Sequence, residues 1–459
     1  MKMNSVYIFS IVSLLSISLT TAQNDDWQWA KRGGSLVGFA TGSEVFSTGV
    51  ERVIDLAIDS NNNYYFLAEV GAAQTDYDGS LIQTYSQDDN RKDIFMFSTD
   101  CQGNFRWSKS IGGGFDDRAN SIGIDANNNI YISGYTANTI SPPHFDNDSI
   151  KSAPSAIGTL GESKKNAFII KYDDQGNFQW LREPEGLVAN TFNAFMQKTV
   201  VESSGRTHSL IRFTEGTHLE GQLTVPAGEF QSAIVIYDNN GNIEDFFEIN
   251  MQPGFGWYDY QLAYDPNLDR YYLADTKREG SDFLSINGFG TANGNENALY
   301  LAALDNQGQV LWFYESTRTN SWTLGDIALD DNGDIYFTGE YNEGLNNEVD
   351  SFAGYTFQAD PTETAPKSPF LIKLDSSGNL IWGTNATQDS RFPGRSIAIK
   401  GNDVYLGLGS LNNEWDGVPF GTAVSGVGLL ATDNTVLRFN KTTGGLQEVI
   451  SMPSQTTAF

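Results

Sequence analysis

Two short signatures alternate along almost the whole of this sequence, and they restrict the fold more than any other feature. The first is an alternating apolar–polar run, an Asn/Gly-rich turn and a second alternating run, the pattern of a β-hairpin. It is clear at residues 55–67, 121–134 and 326–339, shortened at 396–406, and weaker at 199–213 and 261–274. The second signature is an apolar strand, an Asp-x-x-Gly-Asn turn and a strand closed by tryptophan. It stands at 93–107, 167–180 and 370–382, with degraded copies at 233–246, 298–312 and 436–446. In that turn the aspartate is expected to cap the backbone and the glycine to take the left-handed conformation. The two signatures supply strands A and B, then C and D, of one four-stranded unit.

The end of strand D gives the period. The markers are Trp29, Trp107, Trp180, Phe246, Trp312, Trp382 and Leu446, spaced 78, 73, 66, 66, 70 and 64 residues apart. Six A–B–C sets thus lie between seven D-like strands. Four strands per repeat reads as a blade, and the set as an all-β propeller of antiparallel blades. Six blades are favoured, with an irregular seventh as the alternative. Repeat folds grow by adding units, so 459 residues fit one propeller domain over 23–459. Residues 27–31 resemble a D strand but precede the first A strand. They are expected to become the outer strand of the last blade, clasping the ring and hiding an edge.

The units at 107–114, 121–134 and 167–180 resemble the bacterial SBBP β-propeller repeat. The resemblance covers nearly all of the chain after residue 22 and is strongest near 105–180 and 324–382. That family is frequent in secreted and surface proteins of Bacteroidetes. The resemblance implies a fold and a setting, not an activity.

The N-terminus agrees with that setting. Lys2 precedes an apolar run from Val6 to Leu19, followed by Thr20, Thr21 and Ala22 and then polar residues. This is the layout of a secretory signal peptide over 1–22, cleaved near Ala22. The run is shorter than the ~20 residues that span a bilayer, and no later segment is apolar enough. The expected product is secreted or held at the cell surface, with no membrane span, as a monomer. Cys101 is the lone cysteine, so no internal disulfide can form. A net charge of −29 argues against nucleic acid as a partner.

Strand direction sorts the connections into two faces. The A–B and C–D turns are short and uniform. The B–C loops are long and, with the D–A loops, make an elaborated face where binding residues are expected. Five B–C loops share an apolar-x-Gly-x-x-apolar shape beginning at Tyr77, Phe145, Leu219, Phe352 and Trp415, and recurrence of this kind points to packing. The D–A loops approach the central channel and carry the ligand-site candidates: Arg118, Trp257, Tyr258, Trp322 and Arg395. The competing reading packs these aromatics between blades and pairs the arginines with surface carboxylates. The periodic D-strand tryptophans are expected to dock each blade on its neighbour.

No catalytic constellation stands out. His144, His208 and His218 have neither metal-ligand spacing nor a nucleophile motif beside them. No cofactor is expected. Calcium is the one alternative, from the oxygen-rich stretches 330–334 and 146–148, although the first is also what an A–B turn requires. The leading expectation is a non-enzymatic scaffold that binds a glycan, peptide or surface partner on its long-loop face. A glycosidase or lyase with carboxylates at the channel mouth is the second reading, and a purely structural module the third.

Overall fold

The computed structural model describes residues 29, 33–35, 52–71, 75–78, 80–82, 84–85, 92–113, 116–138, 143–146, 149–150, 164–184, 194–249, 260–276, 299–316, 323–342, 351–358, 367–387, 394–410, 413–421 and 433–452. They form six four-stranded antiparallel sheets, each built from four strands taken in chain order. Blade 1 is Arg52–Ile58, Tyr64–Gly71, Lys92–Thr99 and Phe105–Ile111, and blade 2 is Arg118–Ile124, Ile130–Asn138, Lys164–Tyr172 and Phe178–Arg182. Blade 3 is Ala194–Val201, Thr207–His218, Leu223–Tyr237 and Ile243–Ile249, and blade 4 is Gln261–Asp265, Arg270–Thr276, Leu299–Leu304 and Val310–Glu315. Blade 5 is Thr323–Leu329, Ile335–Asn342, Lys367–Leu374 and Leu380–Asn385, and blade 6 is Gly394–Lys400, Asp403–Ser410, Asp433–Asn440 and Leu446–Met452. The chain is a six-bladed β-propeller.

The turns work as their residues dictate. Asp100 Oδ1 accepts the backbone N–H groups of Gln102 and Asn104, and its Oδ2 accepts the Asn104 amide. Gly103 sits at φ +78°, a conformation that a side chain would strain. Asp173, Asp238 and Asp375 repeat the full arrangement. In the A–B turns Asp59, Asp125 and Asp330 cap the backbone and also accept the hydroxyl of Tyr65, Tyr131 and Tyr336.

The blades stack through one repeated contact. Trp107 donates its indole N–H to Asp174 O at 3.1 Å, Trp180 to Asn239 O at 3.0 Å and Trp382 to Lys441 O at 3.1 Å. Trp312 does the same to Ser376 O at 3.3 Å. In each case the acceptor lies in the C–D turn of the next blade, and the indole covers that turn's glycine. Behind these contacts, mixed apolar cores join blades 1 and 2, 2 and 3, 3 and 4, 4 and 5, and 5 and 6.

Two markers shift by register. Trp180 pairs with Lys171 and Trp382 with Lys373, whereas in blade 3 the matching place, opposite Ile236, holds Asp245. Phe246 is not the docking residue there. Phe247, two positions beyond Asp245 and on the same face, lies against Gly308 instead. In blade 6 the matching place is Glu448, opposite Arg438, to which it is salt-bridged at 2.8 Å.

The clasp expected from residues 27–31 is not what completes the last blade. Leu446–Met452 is the outer strand of blade 6, paired with Asp433–Asn440. A hairpin turn of a few residues closes that pair locally, at far lower loop entropy than recruiting a strand some 400 residues away. Gly33–Ser35 pairs with Thr75–Tyr77 and ties its part of the chain to blade 1. Trp29 nevertheless docks on the C–D turn of blade 1, where a blade 6 tryptophan would be expected. It donates to Cys101 O at 3.1 Å and covers Gly103, as the other tryptophans cover their glycines. Its ring also meets Tyr64 and Phe66 edge-on.

The junction between blades 6 and 1 is therefore unlike the other five. Among the described residues it has no mixed apolar core, and Val53, Leu56 and Ile58 of blade 1 are 59%, 45% and 53% exposed. Trp29→Ala should cost about 2 kcal/mol, roughly half the value for a fully buried tryptophan, because this ring is partly exposed. Thermal unfolding of the variant measures this, and an unchanged midpoint would show that Trp29 does not anchor its segment on blade 1.

Candidate functional site

The innermost strands surround a central cavity of about 1210 Å³. What points into it is set by β-bulges. In blades 1, 2, 3 and 6 strand A carries one extra residue relative to strand B: Ile54, Asn120, Gln197 and Arg395. In blade 5 Gly325 and Asp326 together face Thr338. All of these residues line the cavity. A bulge bends its strand and re-aims a side chain, so a ring of bulges makes a girdle of inward-facing groups.

Several of these groups staple one blade to the next. Ile122 N–H donates to Asp55 at 3.2 Å, Thr199 N–H to the Ser121 hydroxyl at 3.0 Å, and Ile397 N–H to Asp326 at 2.9 Å. The Gln261 amide donates to Gly325 O at 3.0 Å. Lys198 of blade 3 reaches Asp55 of blade 1 at 3.8 Å, and its charge also acts on Asp326 of blade 5. Burial raises the Asp326 carboxyl, while Lys198 and two backbone N–H groups oppose that rise.

The charge of the lining is opposite to that of the chain. Among the described residues, six cations face the cavity (Arg52, Arg118, Lys165, Lys198, Arg212 and Arg395) against two carboxylates, Asp55 and Asp326. The whole sequence carries −29. All but Lys198 and Arg212 lie at the starts of strands A or C, where the B–C and D–A connections gather. Arg52 is shared with buried Glu69 at 3.3 Å. Aromatic rings accompany two of the others. Lys165 lies 5.0 Å from the Tyr135 ring centre and 5.2 Å from that of Phe195, and the Arg212 guanidinium lies 4.1 Å over Phe230.

Of the sequence candidates, Arg118 and Arg395 both line this cavity, brought together from blades 2 and 6. Trp257, Tyr258 and Trp322 lie outside the described residues. Sequence reasoning missed Lys165, Arg212, Phe195 and Phe230, which read as ordinary strand residues. No sequence signal marks them: Arg212 and Phe230 stand mid-strand in Thr207–His218 and Leu223–Tyr237, and only the fold brings them to the cavity.

Other tempting groups have structural partners. The B–C hairpins insert Tyr77, Phe145, Leu219, Phe352 and Trp415, all buried, against their own blades. Two of those hairpins turn through consecutive left-handed residues, Ala353-Gly354 and Asp416-Gly417, as tight two-residue turns require. Asp330 faces Lys441 at 3.0 Å, and Asp334 faces Lys373 at 2.8 Å. Among the described residues no cluster of three or more His, Cys, Asp or Glu could hold a metal ion. His208 is fully buried, bonded to Glu202 and to the Tyr271 hydroxyl at 2.7 Å each, and burial holds its pKa down. His144 stacks on Tyr85, and His218 bonds to Thr214 O. Asp93 and Asp117 form a carboxyl pair that is fully buried and does not line the cavity.

No family model matches the chain. A mimivirus protein described as an uncharacterized WD repeat-containing protein is 22% identical over 329 residues, covering 61% of this chain and 23% of that protein. The chain thus spans about a quarter of the length of that relative. Among solved structures, a Dyadobacter fermentans protein of unknown function aligns over 79% of this chain and 93% of its own, at 9% identity and TM-score 0.42. A Bacteroides caccae protein of unknown function aligns over 78% and 90%, at 11% identity and TM-score 0.36.

Proposed function

We propose that this protein is a secreted, non-enzymatic propeller that binds an anionic ligand, foremost an acidic glycan, at the long-loop mouth of its channel. The observation that carries the reading is the reversal of charge: a cavity with six cations and two carboxylates inside a chain of −29. The strongly acidic exterior repels polyanions everywhere else, so attraction is confined to this mouth. Guanidinium groups suit carboxylates and sulfate esters because they donate two parallel hydrogen bonds. The rings of Tyr135, Phe195 and Phe230 hold Lys165 and Arg212 in place against the cavity. A secreted scaffold of the SBBP type belongs to the same proposal.

The enzymatic alternative gains little from the channel carboxylates. Asp55 and Asp326 are engaged in holding adjacent blades together, a duty that competes with proton transfer. No helix of the described residues is long and apolar enough to cross a membrane.

The test is calorimetric titration with oligogalacturonate and with a neutral cello-oligosaccharide of equal length. Oligogalacturonate should bind and lose affinity with added salt, and the neutral chain should not bind. Arg118→Gln with Arg395→Gln should weaken binding about a hundredfold, at ~1.4 kcal/mol or more for each charge-assisted contact. Equal binding of both oligosaccharides, or an unchanged affinity in the double variant, would sink the reading.

A further inference from the structure

One wall of the channel holds an amine in surroundings unlike those of a solvent lysine. Lys165 stands near the start of strand C in blade 2, paired across the sheet with Ala137. Tyr135, two residues from Ala137, pairs in turn with Arg118 on the innermost strand. The Lys165 ammonium lies in the corner between the Tyr135 ring of blade 2 and the Phe195 ring of blade 3, which meet edge to face at 6.2 Å. The corner opens into the cavity, which Lys165, Tyr135, Phe195 and Arg118 all line. A half-buried amine beside a guanidinium and facing a ligand-sized space has the setting of a nucleophilic lysine.

We propose that Lys165 is a reactive amine that forms an imine with the aldehyde or ketone group of an anionic ligand drawn into the channel. The proposal rests on the reading of the channel as an anion site and adds a covalent step to it. The Lys165 nitrogen attacks the carbonyl carbon, and one N–H proton passes to the carbonyl oxygen to give a carbinolamine. Loss of that oxygen as water, with the second N–H proton, leaves the C=N bond. One water is released and nothing is oxidised or reduced. A sugar with a free reducing end and an acidic substituent carries both required groups. Burial and the Arg118 charge hold the Lys165 amine down at about 8, while Asp116 pulls the other way. At pH 7.5 such an amine is uncharged far more often than an ordinary lysine.

The test uses pyridoxal 5′-phosphate as an anionic aldehyde and butanal as a neutral one. Each is trapped with borohydride on the intact protein and mapped by peptide mass spectrometry. Lys400, which is exposed, is the internal reference. At pH 7.5 Lys165 should be modified at least tenfold faster than Lys400 by both aldehydes. Inorganic phosphate should slow its reaction with pyridoxal 5′-phosphate and leave butanal unaffected. Arg118→Gln should slow butanal modification of Lys165 severalfold, because the amine regains basicity. Modification of Lys165 at the Lys400 rate by both aldehydes overturns the proposal. Fast reaction of Lys165 with no competition by phosphate upholds the amine and overturns the anion-channel reading.

Discussion

Replacing Trp382 with alanine should cost about 3–5 kcal/mol, the range for deleting a large aromatic from a packed core. The indole is only 9% exposed and belongs to the core shared by blades 5 and 6. It meets Tyr336 edge-on and donates to Lys441 O in the blade 6 turn. Gly444, at φ +73°, leaves room for it, since a Cβ there would stand 2.7 Å from the ring. Deleting the side chain removes the transfer energy, leaves a cavity and strips a part-buried carbonyl of its donor.

The position in the ring enlarges the effect. Among the described residues, blades 2 to 5 have apolar cores on both sides, whereas blade 6 has one, with blade 5. Its other side carries the Arg438–Glu448 ion pair where a tryptophan would stand. Stability in a repeat array is close to a sum over neighbour interfaces, so weakening the one core that holds blade 6 should uncouple it. Urea unfolding of Trp382→Ala should show a lower midpoint and a shallower or split transition. Trp180→Ala, deep in the array, should lower the midpoint and keep a single transition. If the two variants behave alike, blade 6 is held more firmly than its contacts imply.

The sequence carried the parts of this fold that are local. The Asp-x-x-Gly-Asn turns are legible because aspartate, glycine and asparagine each act on backbone within four residues. Blade number follows from counting copies of the two signatures, degraded ones included. Register is less legible, because a bulge or a slip of two residues changes which side chain docks without changing the pattern of apolar residues. Phe247 in place of Phe246, and Glu448 where a tryptophan would stand, are both of this kind. Closure was misread for a related reason. Residues 27–31 look like a D strand, and Trp29 does take the docking contact of one, but strand pairing in blade 6 is settled by the nearby Leu446–Met452. The channel shows the same division. Arg118 and Arg395 could be found because they flank D–A loops, whereas Lys165 and Arg212 lie inside strands and gain meaning only when bulges and strand ends are aimed at one axis.

Raising the pH from 5 toward 8 should destabilise the protein through Asp93 and Asp117. Both are fully buried, and Asp117 accepts the Gly113 and Ala137 N–H groups at 2.8 Å each. Asp93 Oδ2 accepts the Tyr85 N–H, and the two carboxyls are hydrogen-bonded to each other. Gly112 allows this approach, since a Cβ there would fall within 2.8 Å of both carboxyls. Burial, and then the neighbouring Asp93, push the Asp117 carboxyl well above its usual range. The folded pair therefore keeps a proton that the unfolded chain releases near pH 4. Its stabilising contribution is fully present below that pH and is lost as pH rises to the raised value, at about 1.4 kcal/mol per pH unit for one proton.

The hydrogen bonds also say which substitution relieves the pair. Both Asp117 oxygens already accept backbone N–H groups, so the shared proton belongs on Asp93. In Asp93→Asn the amide nitrogen can donate to Asp117 while the amide oxygen keeps the Tyr85 N–H. This variant should match the parent near pH 5 and grow more stable than it as pH rises. Asp117→Asn must turn an NH₂ group toward a backbone N–H and should lose about 1–3 kcal/mol near pH 5. Denaturant midpoints of the three proteins at pH 5, 6, 7 and 8 decide the matter. A parent protein whose stability is flat across that range, or an Asp93→Asn variant that tracks it in parallel, would mean that the pair holds no proton in the fold.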